Sequence, residues 1–172
     1  MVSDGRLRYY MKLAYGRATE SPDPSTQNGA VLIAGDGIDA MGYNHPPAGF
    51  PLNDWLTTRD IKLANVIHAE ADAIDAAAVI GTPTAGTTLI CPWAACLPCA
   101  LRIIGAGVRR FVRHYDRMVL DDAYWSESIR AADDRLGQAR VEVIDLSGGI
   151  PGAPTVRHRG KRFNPETCRL VL

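Results

Sequence analysis

The sequence predicts an α/β sandwich, and three observations carry that expectation. Short apolar runs suited to strands alternate with segments whose apolar residues recur every three or four positions. Glycine and proline separate the two kinds of segment in turn after turn. The chain has 172 residues, 47% of them apolar, and a chain of that length buries roughly 70% of its unfolded surface on folding, enough for a full core in one domain.

The elements follow in order. Leu7, Met11, Ala14 and Ala18, with Tyr10 and Tyr15 beside them, mark a helix that stops before Ser21-Pro22-Asp23-Pro24. Residues 30–34 and 38–42, joined by Gly35-Asp36-Gly37, read as a hairpin. Residues 43–58 hold Pro46, Pro47, Gly49 and Pro51, the composition of a long shaped loop, where binding is expected. The alanine-rich run from His68 reads as a helix closed by Gly81 and Pro83. Residues 88–91 form a strand, 96–104 a buried helix ending at Gly105 and Gly107, and 108–112 a further strand. Trp125, Ile129, Ala132 and Leu136 make one helix face behind Asp121 and Asp122, and residues 141–146 are the last strand. Past Gly148-Gly149 the chain turns to Pro, Gly and basic residues. This divides it into a catalytic domain over 1–148 and an extended tail over 149–172.

Charge narrows the function classes. Nineteen Lys and Arg balance nineteen Asp and Glu, whereas a nucleic-acid polymer binder normally carries a basic excess. The N-terminal residues are interrupted by charges and no apolar run reaches the ~18 residues of a spanning helix, so no membrane role is expected and a soluble, cytoplasmic protein is. Cys91, Cys96, Cys99 and Cys168 are few for a disulfide framework and read as thiols or metal ligands.

Two short motifs concentrate the chemistry. His68-Ala69-Glu70 and Cys96-Leu97-Pro98-Cys99 each fall where a helix begins, with 25 residues between Glu70 and Cys96. One imidazole and two thiolates leave the fourth position of a tetrahedral Zn2+ site open, as catalytic zinc requires. Glu70 is two residues from His68, placed to serve a metal-activated water as general acid and base. Helix N-termini favour the anionic sulfurs. Cys91 reads as a buried strand residue and Cys168 as a free thiol.

In this order the motifs match the H-x-E and C-x-x-C signature of zinc deaminases, and the sequence resembles the cytidine/deoxycytidylate deaminase superfamily, most closely its dCMP deaminases. Asp23 to Gln27 followed by Gly29-Ala30-Val31, Gly42-Tyr43-Asn44, residues 59–63 (RDIKL), residues 103–110 (IIGAGVRR) and the Trp125 helix with its VEV strand extend the likeness over most of residues 7–146. The resemblance implies a three-layer α/β/α sandwich with a mixed sheet of about five strands. It implies hydrolysis of dCMP to dUMP and ammonia by zinc-activated water, with Glu70 shuttling protons between water, N3 and the departing amine. Alternatives are a 5-substituted dCMP or another small amino-heterocycle as substrate, and more remotely a non-catalytic zinc-stabilised binding module, which a fourth protein ligand would betray.

The same resemblance assigns His68, Cys96 and Cys99 to the metal and gives substrate contacts to Asn44, the Ala69 N–H and the backbone at Ala94. Arg59 and Lys62, with Arg17 beside them, are candidates for a phosphate. Trp93 stands at the mouth of the expected site, either stacking on a base or packing in the core. Assembly as a homo-oligomer, commonly a hexamer, is also implied. Arg102, Arg109, Arg110, Arg113 and Arg117 with His114 form a basic run that either meets phosphate across a subunit interface or keeps a strand edge soluble. Four positions depart from the family pattern: Ala95 for proline, His45 for glycine after Gly42-Tyr43-Asn44, Asn28 for valine and Asp72 for asparagine. Regulated members bind a nucleoside triphosphate effector near His45, and Asn28 and Asp72 are expected to add polarity at the pocket.

Overall fold

Alternation along the strands sends their side chains into two separate cores, and that division builds the layers. The computed structural model describes residues 3–35, 37–53, 58–120 and 123–171. Its main sheet comprises β1 (Gly29–Ala34), β2 (Gly37–Tyr43), β3 (Thr88–Ile90), β4 (Arg110–His114) and β5 (Glu142–Leu146), in the order β2-β1-β3-β4-β5. β1 is antiparallel to β2 and β3, while β3, β4 and β5 are parallel, so the sheet is mixed. Helices in chain order are α1 (Asp4–Ala18), α2 (Arg59–Asn65), α3 (Ala69–Val79), α4 (Leu97–Gly105), the single turn α5 (Tyr115–Met118) and α6 (Ala123–Gln138).

Leu32, Leu89 and Phe111 belong to one core, and their neighbours Val31, Ile90 and Val112 to the other, as the two-residue period of a strand demands. The first core is covered by α3, α4 and α6 through Ala73, Ala77, Ile103, Ala132 and Leu136. The second is covered by α1 through Leu7, Met11, Ala14 and Ala18. The fold is therefore the expected three-layer α/β/α sandwich with a mixed five-stranded sheet. No described helix is long and apolar enough to cross a membrane.

Close backbone approach sets the height of α3 above the sheet. A Cβ on Gly42 of β2 would lie 2.3 Å from the Ala73 nitrogen and 2.6 Å from the Ala69 oxygen, closer than any side chain permits. The alanine-rich face of α3 thus rests directly on β2, which fixes where the helix begins and hence where His68 and Glu70 stand.

Three expectations change. Residues 59–63, recognised only as a family segment, lie in α2. The basic run does not guard an edge: β4 lies inside the sheet between β3 and β5. Arg110 pairs with Glu142 at 2.6 Å, Arg113 with Asp133 at 2.6 Å and Asp145 at 2.7 Å, Arg102 pairs with Asp75, and Arg117 and His114 are fully buried. The segment expected as an extended tail instead forms an antiparallel sheet of β6 (Val156–His158), β7 (Lys161–Asn164) and β8 (Arg169–Val171). Val156 and Phe163 are directly paired across β6 and β7, and with Ile150 they join Leu7 and Met11 in the second core. Few apolar residues suffice because they all face the same way, which a count of apolar residues does not reveal. Arg8 of α1 secures the connection by donating to the carbonyls of Ser147 (2.7 Å), Gly148 (3.2 Å) and Gly149 (2.9 Å). Asp36, Asp121 and Asp122, expected at a turn and a helix start, lie outside the described residues.

Candidate active site

Two helix N-termini converge beyond the C-terminal end of β3, the end at which α/β sheets receive ligands. His68 is the N-cap of α3 and Cys96 that of α4, with Pro98 and Cys99 in the following turn. His68 Nδ1 lies 3.3 Å from Cys96 Sγ and 3.3 Å from Cys99 Sγ. Among the described residues no fourth protein donor joins this group. The Cys99 thiol, hydrogen-bonding to Cys96, holds the Cys96 sulfur down to about 4 against its burial, with His68 assisting. Cys99, as the partner that keeps its proton, is pushed up. The trio thus offers an imidazole, a sulfur inclined to the anionic form and a second that would yield its proton to a cation. That donor set fits a tetrahedral zinc ion with one open position.

Glu70 is 3% exposed and points to the same group. Burial pushes its carboxyl up to about 7, with His68 pulling in the opposite sense, and a cation held by the three ligands would pull it down further. A cavity of about 440 Å³ opens over His68, Glu70 and Cys96, within the range of small-molecule sites. Every residue expected to touch substrate lines it: Asn28, Asn44, Arg59, Lys62, Ala69, Trp93 and Ala94.

What those side chains do inside the wall refines the expectations. Asn44 accepts the Asn28 N–H at 2.7 Å and donates to the Thr26 carbonyl at 2.8 Å and to Asp23 at 3.3 Å, so it also braces the loop between α1 and β1. Lys62 reaches Asp23 Oδ1 at 2.9 Å, both nearly buried, and its charge is matched within the protein. Asn28 donates to Cys91 Sγ at 3.0 Å and accepts from Arg117 at 3.3 Å. Arg117 has only hydrogen donors to offer, so it fixes which end of the Asn28 amide is the oxygen. Trp93 lies against His158, ring centroids 5.1 Å apart, and its buried indole nitrogen has no hydrogen-bond partner among the described residues.

Other expectations land elsewhere. Arg17 pairs with Glu20 and lies over the Tyr43 ring at 4.6 Å, away from the cavity wall. Asp72 does not add polarity to the pocket; it faces β2 and pairs with His45. Cys91 is buried as expected. Cys168 is half-buried, 3.8 Å from His114 Nε2.

The residue-by-residue reading missed several members of the wall. Asp23, Ser25 and Thr26 line the cavity, as do Trp125, whose ring meets His68 edge-on at 6.1 Å, and Arg159 from the β6–β7 turn. Arg159-Gly160 between alternating residues is a hairpin signal in the sequence, but nothing in it announces where the hairpin docks.

Comparison with known proteins agrees with this geometry. Residues 5–115 match the family described as the cytidine and deoxycytidylate deaminase zinc-binding region, and zinc is accordingly the metal cofactor. The chain is 32% identical over 150 residues to an uncharacterized deaminase in the luxG 3' region of Aliivibrio fischeri, covering 85% of this chain and 96% of that protein. It is 31% identical over 116 residues to human deoxycytidylate deaminase, covering 63% of this chain and 64% of that protein. Among solved structures it resembles dCMP deaminase of the cyanophage S-TIM5 in complex with dCMP and dUMP, with a TM-score of 0.67 and 26% identity over 84% of this chain and 99% of that one. With a zinc-fitting trio, a buried carboxyl beside it and a family match across both motifs, the chain belongs to the cytidine and deoxycytidylate deaminase family.

Proposed function

We propose that this deaminase converts a deoxycytidine nucleotide, dCMP, to dUMP and ammonia with consumption of one water. The observation that carries the reading is the composition of a single cavity. His68, Cys96 and Glu70 line it together with Asn44, Trp93 and the cationic side chains of Arg59 and Arg159. The likeness to a phage enzyme whose structure holds dCMP and dUMP supports it.

In this mechanism His68, Cys96 and Cys99 hold the zinc, which when bound supplies a Lewis acid that makes a water nucleophilic near neutral pH. Glu70 takes the proton of the attacking water, passes it to N3 of the ring, and then delivers a proton to the amine leaving C4. Burial favours its neutral form and a held cation its ionised form, opposing influences that suit a group which must both take up and release a proton. The Ala69 N–H at the start of α3 orients the ring carbonyl, and the backbone at Ala94 accepts from the amine. Asn44 meets the sugar or base edge. Trp93 closes the mouth against one face of the base.

Asn28 favours a second reading within the same chemistry. With its oxygen turned to Arg117 and its amide nitrogen donating to Cys91, it places a polar side chain in the cavity wall where the family pattern has valine, which suits a cytosine nucleotide carrying a polar 5-substituent. A panel of dCMP, CMP, dCTP, deoxycytidine and 5-hydroxymethyl-dCMP, followed by ammonia release from the zinc-loaded protein, tests both. Fastest turnover of dCMP is expected, faster 5-hydroxymethyl-dCMP would select the second reading, and a zinc-loaded protein inactive on all five would overturn both. Homo-oligomeric assembly is part of the proposal, supported by the exposed Val79, Ile80 and Leu101, and light scattering tests it.

A further inference from the structure

A second group of metal-binding donor atoms meets beside α1, apart from the catalytic cavity. His114 closes β4, Asp116 lies in the single turn α5, Gly148 follows β5, and Cys168 sits in the turn between β7 and β8. None of the four lines the cavity, and the last three lie past residue 115, where the family match ends. The imidazole nitrogen, carboxylate oxygen and sulfur of the three side chains all lie within 4.8 Å of one another. His114 Nε2 stands 3.8 Å from Asp116 Oδ2, 3.8 Å from Cys168 Sγ and 3.1 Å from the Gly148 carbonyl oxygen. Ligand atoms about 2.0–2.3 Å from a shared tetrahedral ion stand about 3.3–3.8 Å apart, so a slight inward turn of Cys168 closes the set.

Burial and backbone suit this use. His114 is fully buried while Asp116 and Cys168 are half-buried, which leaves an approach for an ion from the outer side. Cys168 has φ of 56°, a left-handed conformation that Gly or Asn adopts more readily, and it turns its sulfur to the imidazole. Burial and Asp116 push the thiol up, with Arg8 opposing, so the sulfur keeps its proton until a cation displaces it.

The neighbouring groups decide how tightly an ion is held. Arg8 donates to the Gly148 carbonyl at 3.2 Å and pairs with Asp4 at 2.8 Å, and Arg117 lies over the Tyr15 ring on the other side of His114. Asp116 and the ionised sulfur offset these cations. Asp116 Oδ2 accepts the Gly148 N–H at 2.7 Å, and its carboxylate has further lone pairs to offer. The Gly148 carbonyl keeps one lone pair for Arg8 and presents the other to the ion in place of the His114 N–H. His114 then carries its hydrogen on Nδ1 and donates it to the Tyr15 hydroxyl 2.6 Å away, which reverses that bond and leaves the ring in place. With one sulfur where the catalytic trio has two, and with hydrogen bonds to exchange, this is the weaker of the two sites. The first equivalent of zinc therefore goes to the trio.

We infer that His114, Asp116, Cys168 and the Gly148 carbonyl form a second site for a divalent ion of the zinc class, one that fastens the β7–β8 turn to the end of β4. Imidazole and thiolate beside two oxygens favour zinc or cobalt over magnesium and calcium, which take oxygen ligands. Binding releases the Cys168 thiol proton to solvent and changes no oxidation state. The inference does not depend on the reaction assigned above, and no readout below uses turnover, so either can fail without the other.

The test starts from protein holding one zinc per chain in the trio and adds Co2+, whose bond to a thiolate gives an intense near-ultraviolet band, or Zn2+ followed by calorimetry. Elemental analysis of the dialysed protein counts zinc and cobalt together, so exchange of metal at the trio does not alter the sum. Two ions per chain and the thiolate band are expected in wild type. Cys168→Gly should hold one ion and lose the second calorimetric event. Asp116→Asn, which keeps an oxygen for the Gly148 N–H, should weaken the second ion at least about tenfold. Glu166→Gln, which removes an exposed carboxylate two residues from Cys168, should match wild type. Because glycine suits the left-handed turn, Cys168→Gly should melt no lower than wild type before metal is added, which separates loss of a ligand from loss of the fold. Excess Zn2+ should then raise the melting temperature of wild type and leave that of Cys168→Gly unchanged. A wild type that holds one ion, or a second ion that persists in Cys168→Gly, would overturn the inference. Undiminished binding in Asp116→Asn would show a surface thiol acting without the carboxylate, and would overturn it as well.

Discussion

His45 Nε2 lies 3.2 Å from Asp72 Oδ1, and the other oxygen of that carboxylate accepts the Tyr43 N–H at 2.9 Å. Two of the departures from the family pattern are thus partners of each other. His45 also exchanges both backbone hydrogen bonds with Ile67, the residue before the zinc-motif histidine. Asp72 in the first turn of α3 therefore ties the end of β2 to the entry of the site.

A double-mutant cycle measures this tie. Asp72→Ala leaves the Tyr43 N–H without its acceptor and should cost about 1–2 kcal/mol. His45→Ala should cost less than that, and the pair, about a quarter exposed on each side, should show a coupling of about 0.2–1 kcal/mol in urea unfolding. Strict additivity would mean that the contact contributes nothing.

Glu70 and Cys99 should separate chemistry from metal binding. Glu70→Ala removes no zinc ligand, so one zinc per chain is expected by elemental analysis, with deamination reduced at least about a hundredfold. Cys99→Ala removes one of three ligands and should lose both metal and activity. A Glu70→Ala protein that turns over substrate normally would take Glu70 out of the mechanism, and a Cys99→Ala protein with stoichiometric zinc would break the ligand assignment.

The parts of this molecule legible in its sequence are those governed by local rules. Period-two strands, the alanine-rich α3 and the two helix-start motifs each depend on residues adjacent in the chain, and they stand close to where they were expected. The grouping of His68, Cys96 and Cys99 was legible because the chemistry of a metal site restricts residue types and spacing. Contacts between distant segments were not legible. The pairing of Lys62 with Asp23, the burial of Arg117 beneath Asn28 and the docking of Arg159 beside Thr26 join positions 39, 89 and 133 residues apart. A charged residue looks the same in a sequence whether it meets water, a carboxylate or a cavity. The β6–β8 sheet was hidden for a related reason, since Val156 and Phe163 acquire a core only when α1 is already in place beside them.

The seam between β2 and α3 makes a sharp prediction. A methyl at Gly42 would collide with the backbone of Ala69 and Ala73, and backbone cannot swing aside as a side chain can. Gly42→Ala should destabilise the protein by about 3 kcal/mol and weaken zinc binding, because α3 carries His68 at its N-cap. Gly37→Ala, at the other end of β2 with its nearest neighbour 3.8 Å away, should stay within about 0.5 kcal/mol of wild type. Equal melting of the two variants would show that α3 does not rest on β2 as described.

His114 should give the stability a dependence on acid. Its Nε2 hydrogen is donated to the Gly148 carbonyl at 3.1 Å, so its Nδ1 accepts from the Tyr15 hydroxyl at 2.6 Å, and the ring is neutral and fully buried. A second proton would sit on Nδ1, where it meets a hydroxyl that is already donating. Burial holds the imidazole below its ordinary value, with Arg117 and Arg8 adding to the effect, while the Gly148 carbonyl and Asp116 oppose it. The unfolded chain therefore binds the proton first as pH falls. Stability is complete above about 6.5, the unfolded value, and is lost from there down toward the depressed folded value, at no more than about 1.4 kcal/mol per pH unit for one proton. Urea unfolding of zinc-loaded wild type and His114→Gln at pH 7.5, 6.5 and 5.5 checks this, since acid release of zinc acts on both proteins and cancels in their difference. The advantage of wild type over the variant should shrink across that range, and a difference that stays constant with pH would show that His114 is not the group that makes the fold sensitive to acid.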